Sequence, residues 1–144
     1  MGCGMSVASA NAVERSVHKT NEWLNGIRDE LGQDDREEAW RILKADLQVL
    51  RDQLTIDEAA QFAAQLPLVL RGAFYEGFDP GRQDKVRHRE EFLAVFAERA
   101  NLSESTDAER ALGAATSALS SHVTAGELED LIAQLPSDLR SVLH

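Results

Sequence analysis

Shifted along itself by about 69 residues, this sequence repeats: Ala64-Gln65-Leu66-Pro67 falls on Ala133-Gln134-Leu135-Pro136, and Leu70-Arg71 on Leu139-Arg140. The same register, without a gap, lays Trp23-Leu24 on Phe92-Leu93. It also aligns Ala39 with Ala108, Leu43 with Leu112, Leu50 with Leu119, Thr55 with Thr124 and Glu58 with Glu127. Self-similarity at a fixed period marks a duplicated structural unit. Each half is too short to bury a large core alone, whereas all 144 residues can enclose one. The expectation is one domain made of two packed copies.

The apolar positions say what each copy is made of. Trp23, Leu24, Ile27 and Leu31 recur at helical spacing after Thr20, which reads as an N-cap, and Gly32 ends the run where a left-handed residue is favoured. From Asp34 or Asp35 a second helix carries Trp40, Leu43, Leu47, Leu50 and Leu54 on one stripe, with Arg36, Glu37, Glu38, Arg41, Lys44 and Asp52 assigned to solvent. Thr55-Ile56-Asp57-Glu58 spells a capping box. The third helix that follows turns Ala59, Phe62, Ala63 and Leu66 inward, and Pro67 stops it and suits the first position of a fourth.

The second copy replays this order. Phe92, Leu93 and Phe96 line its first helix; Ser103–Asp107 connects; Leu112, Leu119 and Val123 stripe the second. Thr124-Ala125-Gly126-Glu127 forms the matching box, Leu128, Leu131, Ile132 and Leu135 line the third, and Pro136 opens a short fourth. No segment alternates as a half-buried strand does. The fold class is all-α, a tandem duplication of a four-helix unit packed as one globular domain. Its expected organisation is a flexible leader over 1–19 and a duplicated helical domain over 20–144. Within that domain, repeat one covers about 20–78, a linker about 79–87 and repeat two about 88–144. The run Leu68–Tyr75 is apolar nearly all round, which predicts burial on every side and a central place for the first copy.

Charge narrows the partners. A formal net charge of −10, with 43% apolar and 28% charged residues, describes a globular chain that phosphate backbones and anionic lipids repel. No nucleic acid and no membrane are expected, with one exception. Met1-Gly2-Cys3-Gly4-Met5-Ser6 fits the N-myristoylation pattern, with Cys3 placed for a second acyl chain. No apolar run reaches membrane-spanning length and no secretory signal opens the chain. One cysteine allows no intrachain disulfide. The expected compartment is the cytoplasm, and twelve arginines against three lysines suggest a GC-rich bacterial genome.

Chemistry is sparse. His18, His88, His122 and His144 form no i, i+3 or i, i+4 pair and no Glu-x-x-His motif, so no metal is expected. No nucleophile elbow, Walker loop or dinucleotide fingerprint occurs, so neither catalytic residues nor a cofactor are assigned. The segment beyond what the repeat requires is the inter-repeat junction, where Tyr75, Glu76, Phe78, Asp79, His88 and Arg89 are the candidate residues. As a pocket rim, its aromatics would stack a ligand and His88 with Arg89 would hold an anion. As scaffolding, Tyr75 and Phe78 would pin the linker to the core while Arg89 pairs with Glu76 or Asp79; this reading is favoured. Arg71 and Arg140, four residues beyond each proline, require a carboxylate or helix-end carbonyls as partners.

The run Ala64-Gln65-Leu66-Pro67-Leu68-Val69-Leu70-Arg71-Gly72-Ala73-Phe74-Tyr75-Glu76-Gly77-Phe78-Asp79-Pro80, followed by His88-Arg89-Glu90-Glu91-Phe92-Leu93, resembles the bacterial family known as domain of unknown function 2267. The resemblance extends from about Thr20 to the C-terminus. It implies a cytoplasmic bacterial helical domain closed by a Leu-Pro-x-x-Leu-Arg element, and supplies no substrate, cofactor or catalytic residue. The expected function is a non-catalytic interaction module that binds a protein partner or itself. The alternative is a small-ligand-binding or enzymatic protein that uses the junction.

Overall fold

The computed structural model describes residues 2–82 and 85–143, with side chains from Asn11 onward. The described residues form eight helices and no strand: α1 (Gly2–Leu31), α2 (Arg36–Arg51), α3 (Ile56–Ala63), α4 (Leu68–Tyr75), α5 (Arg89–Ala100), α6 (Ala108–His122), α7 (Ala125–Ala133) and α8 (Ser137–Leu143). The protein is all-helical. Its punctuation follows the sequence closely. Gly32 takes a left-handed φ of 65°, and Asp35 caps α2 through the Glu38 amide. The Thr55–Glu58 capping box is closed in both directions.

Helices α1–α4 and α5–α8 follow the same order, and their packing is reciprocal. The two most extensive helix contacts are α1 on α6 and α2 on α5, while α2 meets α6 and α3 meets α7 between the halves. The predicted stripes supply the core: Trp23, Ile27, Leu43, Leu47, Leu50 and Phe74 from the first half, and Phe92, Phe96, Leu112, Leu119 and Leu139 from the second, are all essentially inaccessible. Arg71 donates to the carbonyls of Ala63 (3.1 Å) and Leu66 (3.2 Å), and Arg140 to those of Leu135 (3.0 Å) and Ala133 (3.2 Å). Each guanidinium thus satisfies the end of the preceding helix, the need anticipated for it.

Four expectations are corrected. Thr20 does not cap a helix, because α1 runs unbroken from Gly2. Its hydroxyl donates to the Ser16 carbonyl at 2.7 Å, and that of Ser16 to Val13 at 2.8 Å, bonds a continuous helix permits. Both side chains are buried, which lets this part of α1 lie close on the body. Met1 and the Cys3 side chain, where lipidation was considered, lie outside what is described. Second, α4 is not enclosed: Leu70, Ala73 and Phe74 face inward, but Leu68 is 55% exposed. Two turns lying across α1 and α2 cover only one side of the helix. Third, neither copy is central, since α8 packs on α5 and α6 much as α4 packs on α1 and α2. Fourth, Thr124 has N-cap backbone geometry, yet its hydroxyl makes no capping bond.

Candidate functional site

The junction begins where α4 stops. Glu76 leaves the helix with ψ of 123°, Gly77 turns at φ of 70°, and the Phe78 amide donates to the Tyr75 carbonyl at 2.9 Å. Asp79 is spent locally, accepting from the Gly81 amide at 3.0 Å. What ties this turn to the body is Arg51, a residue the sequence reading left unassigned. Its Nη1 donates to the carbonyls of Phe74 (2.9 Å) and Glu76 (3.0 Å), and its guanidinium lies 5.2 Å from the centre of the Phe78 ring. Lys44 adds an ion pair with Glu76 at 3.1 Å. Tyr75 packs edge-on against Phe74 and tilts against Phe78 while remaining 37% exposed.

His88 and Arg89 face a different neighbourhood. His88 stands at the start of α5, 3.9 Å from Asp138 of α8. The Arg89 amide donates to that same carboxylate at 2.7 Å, and its guanidinium pairs with Glu109 of α6. The structure therefore groups Tyr75, Glu76 and Phe78 against α2 and α4, and groups His88 and Arg89 against α6 and α8. Arg89 meets neither Glu76 nor Asp79, its expected partners. The six candidates do not converge on one reacting centre.

Polar side chains do converge inside the protein, on α2. Glu38 and Asp52, both assigned to solvent, are buried along with Arg51. Asp52 accepts from Arg51 at 2.9 Å and from Arg99 of α5 at 3.1 Å. Gln48 donates to the Ala73 carbonyl at 2.9 Å, and Glu38 accepts from the Thr106 hydroxyl and the Ser103 amide of the α5–α6 connection. Asp46 is the exception. Completely enclosed, its carboxyl is pushed up to about 8 by loss of solvent, offset in part by the nearby Thr116 hydroxyl. Neither oxygen of Asp46, nor the Thr116 hydroxyl, completes a hydrogen bond. The signal for Asp46 was available: it lies three residues after Leu43 and four before Leu50, on the apolar stripe itself.

The surface hollows open away from the junction. One of about 710 Å³ lies between Glu30 of α1, Thr116 and Ser117 of α6, Leu128 and Ile132 of α7 and Leu143 of α8. Another, of about 300 Å³, runs between α1, α2 and α4 over Val17, Leu24, Trp40 and Val69, with Arg36 and Glu37 at its edge. Among the described residues no three histidine, cysteine or acidic side chains gather as a metal would need, and no helix is long and apolar enough to cross a membrane.

The sequence model of the family described as uncharacterized conserved protein (DUF2267) matches residues 20–142. The chain belongs to this family. No curated protein matches the sequence. The DUF2267 match spans α2 through nearly all of α8 and includes Arg51, Asp46 and both proline–arginine corners. It begins inside α1, so residues 2–19 of that helix precede the DUF2267 region.

Proposed function

We propose that this DUF2267 chain is a non-catalytic helical interaction module, engaging a protein partner or a second copy of itself through the face formed by α1, α2 and α4. The observation that carries this reading is the exposure of apolar side chains there. Val13 and Val17, one helical turn apart on α1, are 52% and 45% exposed, and Leu68 on α4 is 55% exposed. Val17 and Val69, the neighbour of Leu68, line the same hollow over Leu24 and Trp40. Single exposed apolar residues are ordinary, whereas a row of them beside an apolar groove is the usual substrate for association. The composition supports a bacterial cytoplasmic setting.

The other reading, a ligand or reaction site at the junction, has less support, because its residues are divided between two neighbourhoods and already hold one another. Sedimentation velocity over a wide concentration range, with cross-linking mass spectrometry in host lysate, tests the proposal. Association with cross-links that map to α1 and α4 is expected for the native chain and should disappear in Val17→Asp. A chain that stays monomeric and cross-links to nothing through this face would sink it.

A further inference from the structure

The linker that follows Asp79 returns to the body in a slot between the two halves. Val86 is 5% exposed and belongs to the core; its amide donates to Oε1 of Gln53, just beyond α2, at 3.0 Å. Three residues on, the Arg89 amide reaches Asp138 at the start of α8 at 2.7 Å. An extended segment is thus held between the end of α2 and the α7–α8 corner, with one branched apolar side chain turned inward.

The 69-residue register gives this slot a counterpart. Gln53 goes to His122, Phe92 to Trp23, Leu135-Pro136 to Leu66-Pro67 and Asp138 to Val69. His122, Trp23, Leu66 and Pro67, with Lys19 and Gln65, line an open hollow of about 240 Å³, whereas Val69 lines the hollow between α1, α2 and α4. The His122 ring stacks on Trp23 with centroids 4.9 Å apart and planes 13° from parallel, and an imidazole nitrogen can accept a hydrogen bond as the Gln53 side-chain carbonyl does. The counterpart of Val86 is Val17. It does not line the hollow, because Val17 lies within a helix where Val86 lies in irregular chain, and Val17 is 45% exposed on α1. Among the described residues an extended segment lies in one of these places and none lies in the other.

We propose that the hollow over Trp23 and His122 is a docking slot for an extended segment of a partner protein, carrying a branched apolar residue beside an acidic one. The apolar residue takes the part of Val86, its amide donates to His122 as Val86 donates to Gln53, and the acid meets Lys19. Lys19 is exposed at the rim and pairs with no acid among the described residues, which sets the sign of the partner's charge. This rests on the reading of the chain as an interaction module but uses a surface distinct from the α1–α2–α4 face.

The test is a titration of the ¹⁵N-labelled full chain with three capped seven-residue peptides, centred on glutamate–valine–glutamate, lysine–valine–lysine and glutamate–glycine–glutamate. The first should give saturable shifts at the Trp23 indole, His122 and Gln65. Glycine in place of valine should weaken binding about tenfold or more, the worth of one buried valine side chain. Lys19→Glu should reverse the preference between the two charged peptides. His122→Gln, which installs the acceptor of the other half, should keep binding. Absent shifts, shifts that map elsewhere, or equal binding of the glycine peptide would overturn the slot. Should Val17→Gly alone move the Trp23 and His122 signals, the occupant is the chain's own α1 and the partner assignment fails. Loss of cross-linking in Val17→Asp alongside silent titrations would leave the module standing and remove only the slot.

Discussion

Asp46 of α2 lies against Thr116 of α6 at the contact between the two halves, and neither side chain completes a hydrogen bond. An ionised carboxylate there would be a buried charge without a partner, so folding favours the protonated form and raises the group from 3.8 to about 8.

Stability should therefore depend on pH with a definite sign. Below about 4 Asp46 is protonated in both states and imposes no penalty. Between about 4 and 8 the unfolded chain releases the proton that the folded chain retains, so this group's contribution falls as pH rises and levels off above about 8. Asp46→Asn, the neutral isostere, should match the native chain near pH 4 and exceed it near pH 8 by on the order of a few kcal/mol. Urea denaturation at the two pH values measures this, and parallel pH profiles for both proteins would contradict it.

The junction should be held by Arg51 more than by its aromatics. Arg51→Ala leaves Asp52 short of a cation and frees the Phe74 and Glu76 carbonyls, and should cost about 3–5 kcal/mol. Phe78 is only partly covered, so Phe78→Ala should cost about 1–2 kcal/mol, less than for a fully enclosed ring. Thermal melts of the two variants should rank in that order.

The two threonine caps offer a matched pair. Thr55→Ala removes a closed capping box and should cost about 1 kcal/mol. Thr124→Ala removes a hydroxyl that makes no capping bond, and should change stability by less than about 0.5 kcal/mol. Equal losses would show that the second box also closes in solution.

The exposed valines should matter to association and not to folding. Val17→Asp and Leu68→Asp replace side chains about half open to water, and their melting temperatures should stay near that of the native chain. Their sedimentation should shift toward monomer where the native chain associates. A large drop in melting temperature would mean that this face is already covered within the molecule.

The helical stripes, the Gly32 stop, an aspartate cap at residue 34 or 35 and the need of Arg71 and Arg140 for a carboxylate or helix-end carbonyls were legible because each depends on neighbours within about a turn or two. Glu38 and Asp52 were misplaced for the opposite reason. One amphipathic stripe assumes one partner, and α2 packs on α1, α4, α5 and α6 together, so positions off the stripe are covered too. Thr20 misled because a hydroxyl can bond to the preceding turn as readily as cap a new one. Of the junction candidates, the local turn around Gly77 and Asp79 was readable. The separation of Arg89 from Glu76 was not, since it depends on where α6 and α8 lie.

Because α1 rests on α6 and α5 rests on α2, each half lends its first helix to the other half's second. Such a chain cannot be divided into two self-sufficient pieces. A break in the backbone between residues 79 and 87 would leave fragments whose best available complement is each other, and co-expressed halves should reassemble into the native particle. Either fragment alone would present the surface its missing twin once covered. The partner that surface most resembles is a second molecule of the same fragment, so a solitary half should pair with itself before it aggregates.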